Sequence, residues 1–283
     1  MSKISELFGV PVDQPNANWK KIVADQGCPF LGKRCYKVRK SNSKISIGTC
    51  SVLYGKDPQP IVICPARLTS RRQIFADCLH LLTTHTPGNE LHIISEVSIP
   101  GGSIDFCLVS TNGGKVKDFV GIELQTLDTT GTVWPERQRL LSSFWIDAPL
   151  RAADKKKKYG MNWKMTAKTI LVQMHHKIQT FEHVNKKLVL IVQDPLLAYM
   201  AKEFNFKHLS NPALAGDAMH IHSYAFELDH QSGHKLKLKS RMSTDGEGMA
   251  ICLGLQAEAR VELAQILSAL QARVSEKTLY VPI

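Results

Sequence analysis

Three runs, "ELHIISEVSI", "SIDFCLVS" and "DFVGIELQT", do most to limit what this chain can fold into. Each is short, rich in apolar and β-branched residues and bounded by turn signals, which is the pattern of a strand. Pro100-Gly101-Gly102 joins the first two as a hairpin, and Asn112-Gly113-Gly114 marks a turn before the third. In the third run, Ile122 and Leu124 face one side of a sheet while Glu123 and Gln125 share the other. An acid and an amide two apart on an apolar strand belong either to a half-exposed sheet face or to the floor of an active site.

Helical and strand periods alternate around these runs. The spacing of Ile74, Cys78, Leu81 and Leu82 predicts a helix over 71–84, and "PERQRLLSSFW" predicts another with Pro135 in its first turn. Trp163, Ala167, Ile170, Leu171, Met174, Ile178 and Phe181 fall on one face of a longer amphipathic helix. "KKLVLIVQD" reads as a strand buried on both faces, followed by a helix in "PLLAYMAKEF". Two strands, "HIHSYAFEL" and "HKLKLKSR", and a closing helix from Leu255 to Val274 complete an α/β pattern around one sheet. A chain of 283 residues accommodates one sizeable core and a small module.

Lys and Arg outnumber Asp and Glu by 36 to 25, and the net charge of +11 favours a polyanionic partner, nucleic acid foremost. An indifferent basic surface is the alternative. No apolar run approaches bilayer-spanning length, and "MSKISELFGVPVDQP" lacks the apolar core of a signal peptide. The expected location is therefore cytoplasmic, away from membranes. Seven cysteines, an odd number in a reducing compartment, argue against a disulfide framework.

Four of the cysteines, Cys28, Cys35, Cys50 and Cys64, fall in a Gly-, Pro- and Ser-rich stretch with few residues to form a core of its own. Residues 1–69 thus read as an N-terminal segment carrying a small four-cysteine metal-binding module, and 70–283 as the main domain. Four thiolates beside turns and strand ends suit a tetrahedral soft metal, zinc or iron, against the alternative of four buried thiols. Lys33, Arg34, Lys37, Arg39, Lys40 and Lys44 make the loop between Cys28 and Cys50 basic, as a segment lying along phosphates would be. Cys78, Cys107 and Cys252 sit on apolar faces and read as core residues.

Asp105 opens the second strand run, and Glu123 and Gln125 follow on the third. That order is the arrangement of the PD-(D/E)XK nuclease core, a mixed central sheet flanked by helices. Two carboxylates brought together repel unless a cation or a proton intervenes. Mg2+ binds such pairs, activates a water and offsets charge on a phosphodiester. Glu96 is a third acid, sharing the face of Asp105 only if the hairpin loop holds an even number of residues, because a one-residue slip flips every side chain. The alternative is a solvated sheet face with scattered acids.

Taken together, "ELFGVP", "CPFLGKRC", "IGTCSV", "ICPARL" and "EVSIPGGSIDF…GIELQTLDTTGT" resemble the NotI family of type II restriction endonucleases, most clearly from Glu6 to Thr132. The resemblance implies a PD-(D/E)XK fold and a homodimer that cuts palindromic double-stranded DNA, with a methyltransferase protecting host sites and forming no stable complex. It implies that Cys28, Cys35, Cys50 and Cys64 bind one structural metal, iron in that family. Asp105 and Glu123 would ligate Mg2+, Glu96 would complete the acidic site, and Gln125 stands where most of the superfamily carries lysine. Two other readings stand beside it: a repair or junction nuclease on the same core, and a non-catalytic, metal-stabilised DNA-binding protein.

For holding DNA, Lys155, Lys156, Lys157 and Lys158 form the densest positive run, suited to phosphates. Arg137 and Arg139 follow the third strand closely and are candidates for guanine edges. Lys235, Lys237 and Lys239 alternate with leucines in an ordinary amphipathic strand. His175 and His176 make a poor chelating pair, since adjacent helical residues point about 100° apart.

Overall fold

The computed structural model describes residues 3–100, 102–229, 233–255, 267–268 and 271–272. Its central sheet has six strands, β1 (Glu90–Ile99), β2 (Gly102–Asn112), β3 (Lys115–Gln125), β4 (Lys187–Gln193), β5 (Met219–Asp229) and β6 (Gly233–Thr244), side by side in chain order. The first three pair antiparallel, as the turn signals between them require. β4 then lies parallel to β3, β5 lies parallel to β4, and β6 returns antiparallel. The result is a mixed α/β sheet, flanked by α2 (Trp163–His183), α3 (Asp194–Glu203) and α4 (Gly246–Leu253), while α1 (Trp134–Ser143) packs against the N-terminal segment.

All of β4 is buried, as its continuous apolar run predicts. On one face, Ala167, Ile170, Leu171, Met174, Ile178 and Phe181 of α2 pack against Leu188, Leu190, Val192 and Ile221. On the other, Ile122, Leu124, Val189 and Ile191 meet Leu68, Ile74, Phe75 and Leu81. The stripe of α2 reaches the sheet so closely because Gly121 leaves room. A Cβ at that position would lie 2.3 Å from Cζ of Phe181.

Two expectations change. Residues 71–84 do not form one helix: Arg71 and Arg72 both adopt φ of 55°, a left-handed conformation that a right-handed helix cannot pass through. Only Gln73–Ala76 is α-helical and Leu79–Leu81 is a 3-10 turn, yet Ile74, Cys78, Leu81 and Leu82 are buried as their spacing predicts. Cys107 and Cys252 are core residues too. The closing helix from Leu255 to Val274 falls largely outside the described residues.

The cysteine-bearing segment is also less starved of apolar partners than its composition suggests. Its strands form a second sheet in the order Val10–Pro11, Ile4–Leu7, Thr49–Tyr54 and Gln59–Val62. The four cysteines cluster with Ile4, Leu7 and Phe8 from the start of the chain and with Leu140, Leu141 and Ala148 from α1 and the loop beyond it. Packing is continuous across residue 69, since Val52 and Ile61 join one central core and Val62 and Leu68 the other. Polar ties reinforce it. Arg67 donates to Glu6 at 2.9 and 3.1 Å, both groups buried, and Gln193 bridges the two sheets by accepting from Val62 N at 2.9 Å and donating to Pro60 O at 2.8 Å. Among the described residues no helix is long and apolar enough to cross a membrane.

Gly121→Ala should overpack the junction of β3 with α2 and lower stability by about 1–3 kcal/mol. Urea unfolding checks this as a lower midpoint with an unchanged slope.

Candidate active site

β2 and β3 remain paired from Asn112 and Lys115 as far as Phe106 and Ile122. Continuing that register would set Asp105 opposite Glu123, but the backbone ladder stops one step short. There the Asp105 carboxylate takes the place of a backbone acceptor, its Oδ2 receiving the Leu124 N–H at 2.8 Å. Asp105 is half-buried and Glu123 is buried, so the end of this ladder brings together an acid from each strand.

Glu123 aligns with Leu190 of β4, on the sheet face that α2 covers. The helix meets it with a cation. Lys177 Nζ donates to Glu123 Oε1 at 2.6 Å, and the two side chains are only 10% and 6% exposed. Burial pushes the Glu123 carboxyl up to about 7; the Lys177 hydrogen bond pulls it down, and the charge of Asp105 adds to the rise. The helix is pinned over the β1–β2 hairpin by Thr180 Oγ1, which donates to Pro100 O at 2.9 Å. The lysine stem passes the same hairpin, with Cε 3.5 Å from where a Cβ on Gly102 would stand.

Gln125 lies two residues along β3, half-buried, its Nε2 donating to Thr126 O at 2.6 Å. For Glu96, the pairs Ile104 with Val97 and Phe106 with Ser95 set it opposite Asp105, and Ile99 pairs with Gly102 so that the loop between them has the even length that a shared face requires. Glu96 is exposed on the edge strand, with φ of 54°, a region non-glycine residues seldom enter. Among the described residues, no three His, Cys, Asp or Glu side chains stand as a ready-made metal cage. The oxygen chemistry of Asp105 and Glu123 nonetheless suits Mg2+, which takes one or two carboxylates and completes its shell with waters and phosphate oxygens.

Cys28, Cys35, Cys50 and Cys64 are free, buried and gathered in one cluster. Burial raises the thiols of Cys50 and Cys64, and Cys64 pushes Cys50 further. The Tyr36 hydroxyl is raised by burial and then by Cys64, Cys35 and Cys28, which places it beside three of the four. The four thiols share one buried cluster without standing as a ready-made cage, and their soft-donor chemistry is that of a tetrahedral soft-metal site.

The arginines after β3 divide. Arg137 is buried and spends its guanidinium on protein, donating to Ile47 O at 2.7 Å, Ser46 O at 3.2 Å and Gln138 Oε1 at 2.7 Å. It fastens the cysteine segment to α1. Arg139 stands at the surface and pairs with Glu136 at 2.6 Å. Lys155 ends the short helix Ala152–Lys155, and Lys156, Lys157 and Lys158 beyond it are exposed, with Lys157 2.8 Å from Asp154.

A family model, Restriction endonuclease NotI, matches residues 20–227. The chain belongs to the NotI family. It is therefore an enzyme of the restriction endonuclease kind, for which DNA is the substrate. The matched span takes in all four clustered cysteines, Glu96, Asp105, Glu123, Gln125 and also Lys177. No curated protein gives a significant match. Lys177 is the residue of this site that strand patterns do not single out. Its signal in the sequence is a charge inside an apolar stripe, three residues after Met174 and four before Phe181.

The raised carboxyl has a measurable sign. Between the ordinary value of 4.5 and about 7, the native state keeps a proton that the unfolded chain has lost, so stability contributed by Glu123 falls as pH rises through that window. In metal-free buffer, the melting temperature of Glu123→Gln relative to the unsubstituted protein should climb from about pH 5 to about pH 8. A difference that stays constant would refute the assignment.

Proposed function

We propose that this NotI-family member is a type II restriction endonuclease of the PD-(D/E)XK fold, hydrolysing phosphodiester bonds at a palindromic site in double-stranded DNA. The reading is carried by the end of the β2–β3 ladder, where Asp105 and Glu123 stand together inside the span matched by the family. Asp105 and Glu123 would hold Mg2+, which when bound supplies charge neutralisation and an activated water. Hydrolysis consumes one water: a P–O bond forms to its oxygen, a second P–O bond breaks, and the departing oxygen collects a proton. Gln125, on the same strand face as Glu123, orients the water through its amide, and Glu96 contributes negative potential from the strand opposite Asp105.

The net charge of +11 and the exposed Lys156–Lys158 run suit a duplex lying along the molecule. A two-fold dimer matches the symmetry of a palindrome and cuts both strands alike. The cysteine quartet serves as a structural iron or zinc site, adding metal-binding energy to a segment whose apolar partners come from distant parts of the chain.

Digestion of DNA of known sequence tests the activity. Discrete fragments ending at one short palindrome are expected with Mg2+, and none with EDTA. Glu123→Ala and Asp105→Asn should each lose more than about 100-fold in rate, beyond what changes outside the inner ligand sphere cause, with the fold intact by circular dichroism. Cutting that follows DNA structure regardless of sequence would overturn the reading. Elemental analysis should find one iron or zinc per chain, lost in Cys50→Ser together with melting temperature. Less than one metal per quartet in the unsubstituted protein would dismiss the structural metal.

A further inference from the structure

We infer that Lys177 supplies to the scissile phosphate the positive charge that Gln125 cannot. The inference rests on the nuclease reading above and assigns a residue from α2, not β3, to the reacting centre.

Cost is the first consideration. Lys177 interrupts the stripe by which α2 packs on the sheet, at a position that is 8% exposed. Withdrawing an ammonium and a carboxylate from water costs several kcal/mol, and a pair of apolar residues generally packs at least as stably as such a buried ion pair. Stability alone gives no reason for placing the Lys177–Glu123 pair under this stripe.

Position is the second. Glu123 and Gln125 share a strand face, and Lys177 comes down onto that face from above, its Nζ 2.6 Å from Glu123. The ammonium therefore stands beside the acidic pair of Asp105 and Glu123. A lysine carries three N–H donors, and Glu123 accepts one of them. The donors left over match the non-bridging oxygens of a phosphodiester, on which negative charge grows as water adds to phosphorus. Gln125, by contrast, brings an amide without charge, and its Nε2 is turned to the Thr126 carbonyl.

Rigidity is the third. The Thr180 bond to Pro100 and the contact of Phe181 with Gly121 anchor the helix within about one turn of Lys177. The ammonium is thereby held to the strands that carry the acids, which is the preorganisation electrostatic catalysis requires.

An exchange of side chains tests this. Lys177→Gln keeps a hydrogen-bond donor for Glu123 and removes the charge. It should slow single-turnover cleavage at saturating Mg2+ by about 100-fold or more, the scale set by removing one preorganised donor. Duplex affinity measured in Ca2+ should stay close to that of the unsubstituted protein, with the fold intact by circular dichroism. Adding Gln125→Lys to that variant should restore at least about tenfold of the lost rate, because the charge returns to the same strand face. Cleavage by Lys177→Gln within about threefold of normal would overturn the inference. So would a folded, DNA-binding double variant no faster than Lys177→Gln alone, since Lys177 would then be only a counter-ion for Glu123. If Lys177→Gln unfolds, Lys177→Arg replaces it, which keeps the charge and should retain cleavage; a folded Lys177→Arg protein that binds DNA but has lost cleavage as completely as Glu123→Ala would overturn the inference. Full cleavage by Glu123→Ala would instead topple the nuclease site itself, leaving the two failures distinguishable.

Discussion

The parallel pairing of β3 with β4 governs the rest of the molecule. Parallel neighbours cannot be joined by a tight turn, so the chain must leave the sheet at Gln125 and return at Lys187 in the same direction. The excursion carries α1 and α2. α2 then has one place to bury its apolar stripe, across the face presented by β3, β4 and β5. Glu123 points to that face, so the helix that covers the sheet also covers the acid, and a carboxylate under a helix needs a positive partner. The ion pair with Lys177 follows from topology as much as from local sequence.

A similar economy joins the cysteine segment to the sheet. It joins the rest of the molecule through apolar packing on α1 and on both central cores, the guanidinium of Arg137 on two backbone carbonyls, and the amide of Gln193 set between strand Gln59–Val62 and β4. Glu6 and Arg67 close the junction, with the Arg67 guanidinium also stacked between Phe30 and Phe226 and bonded to the His234 carbonyl at 2.6 Å. Buried ion pairs contribute little net stability but are costly to break on one side. This one links the first strand of the chain to the last strand of the central sheet, and so fixes their relative placement.

What was legible in the sequence and what was not divides along a physical line. β1 to β4 could be read because strand alternation and glycine turns are local, and α2 because its stripe runs for about five turns. Asp105, Glu123 and Gln125 stood out as polar breaks in apolar strands. Lys177 leaves little mark in the sequence because a lysine on a helix is ordinarily solvated, and only the depth of the neighbouring stripe sets this one apart. The helix expected over 71–84 failed because burial spacing is the same for a helix and for successive tight turns, while the left-handed Arg71 and Arg72 leave no mark in composition. For the cysteine segment, the apolar partners lie at residues 4–8 and 140–148, a non-local pairing that no window along the chain contains.

Gly121 has no functional group and lies outside the acidic motif, yet it acts as a gauge. The missing methyl lets the Phe181 ring settle onto β3, and that settling sets how high the helix rides above the sheet. Lys177 sits about one turn earlier on the same helix, so its height above the carboxylates is set by the same spacer. A methyl's width at position 121 would therefore translate into a displaced charge beside the acids. Enzymes on this plan can tune their electrostatics at a residue that carries no charge and touches no substrate, and catalogues of motif residues would pass over it.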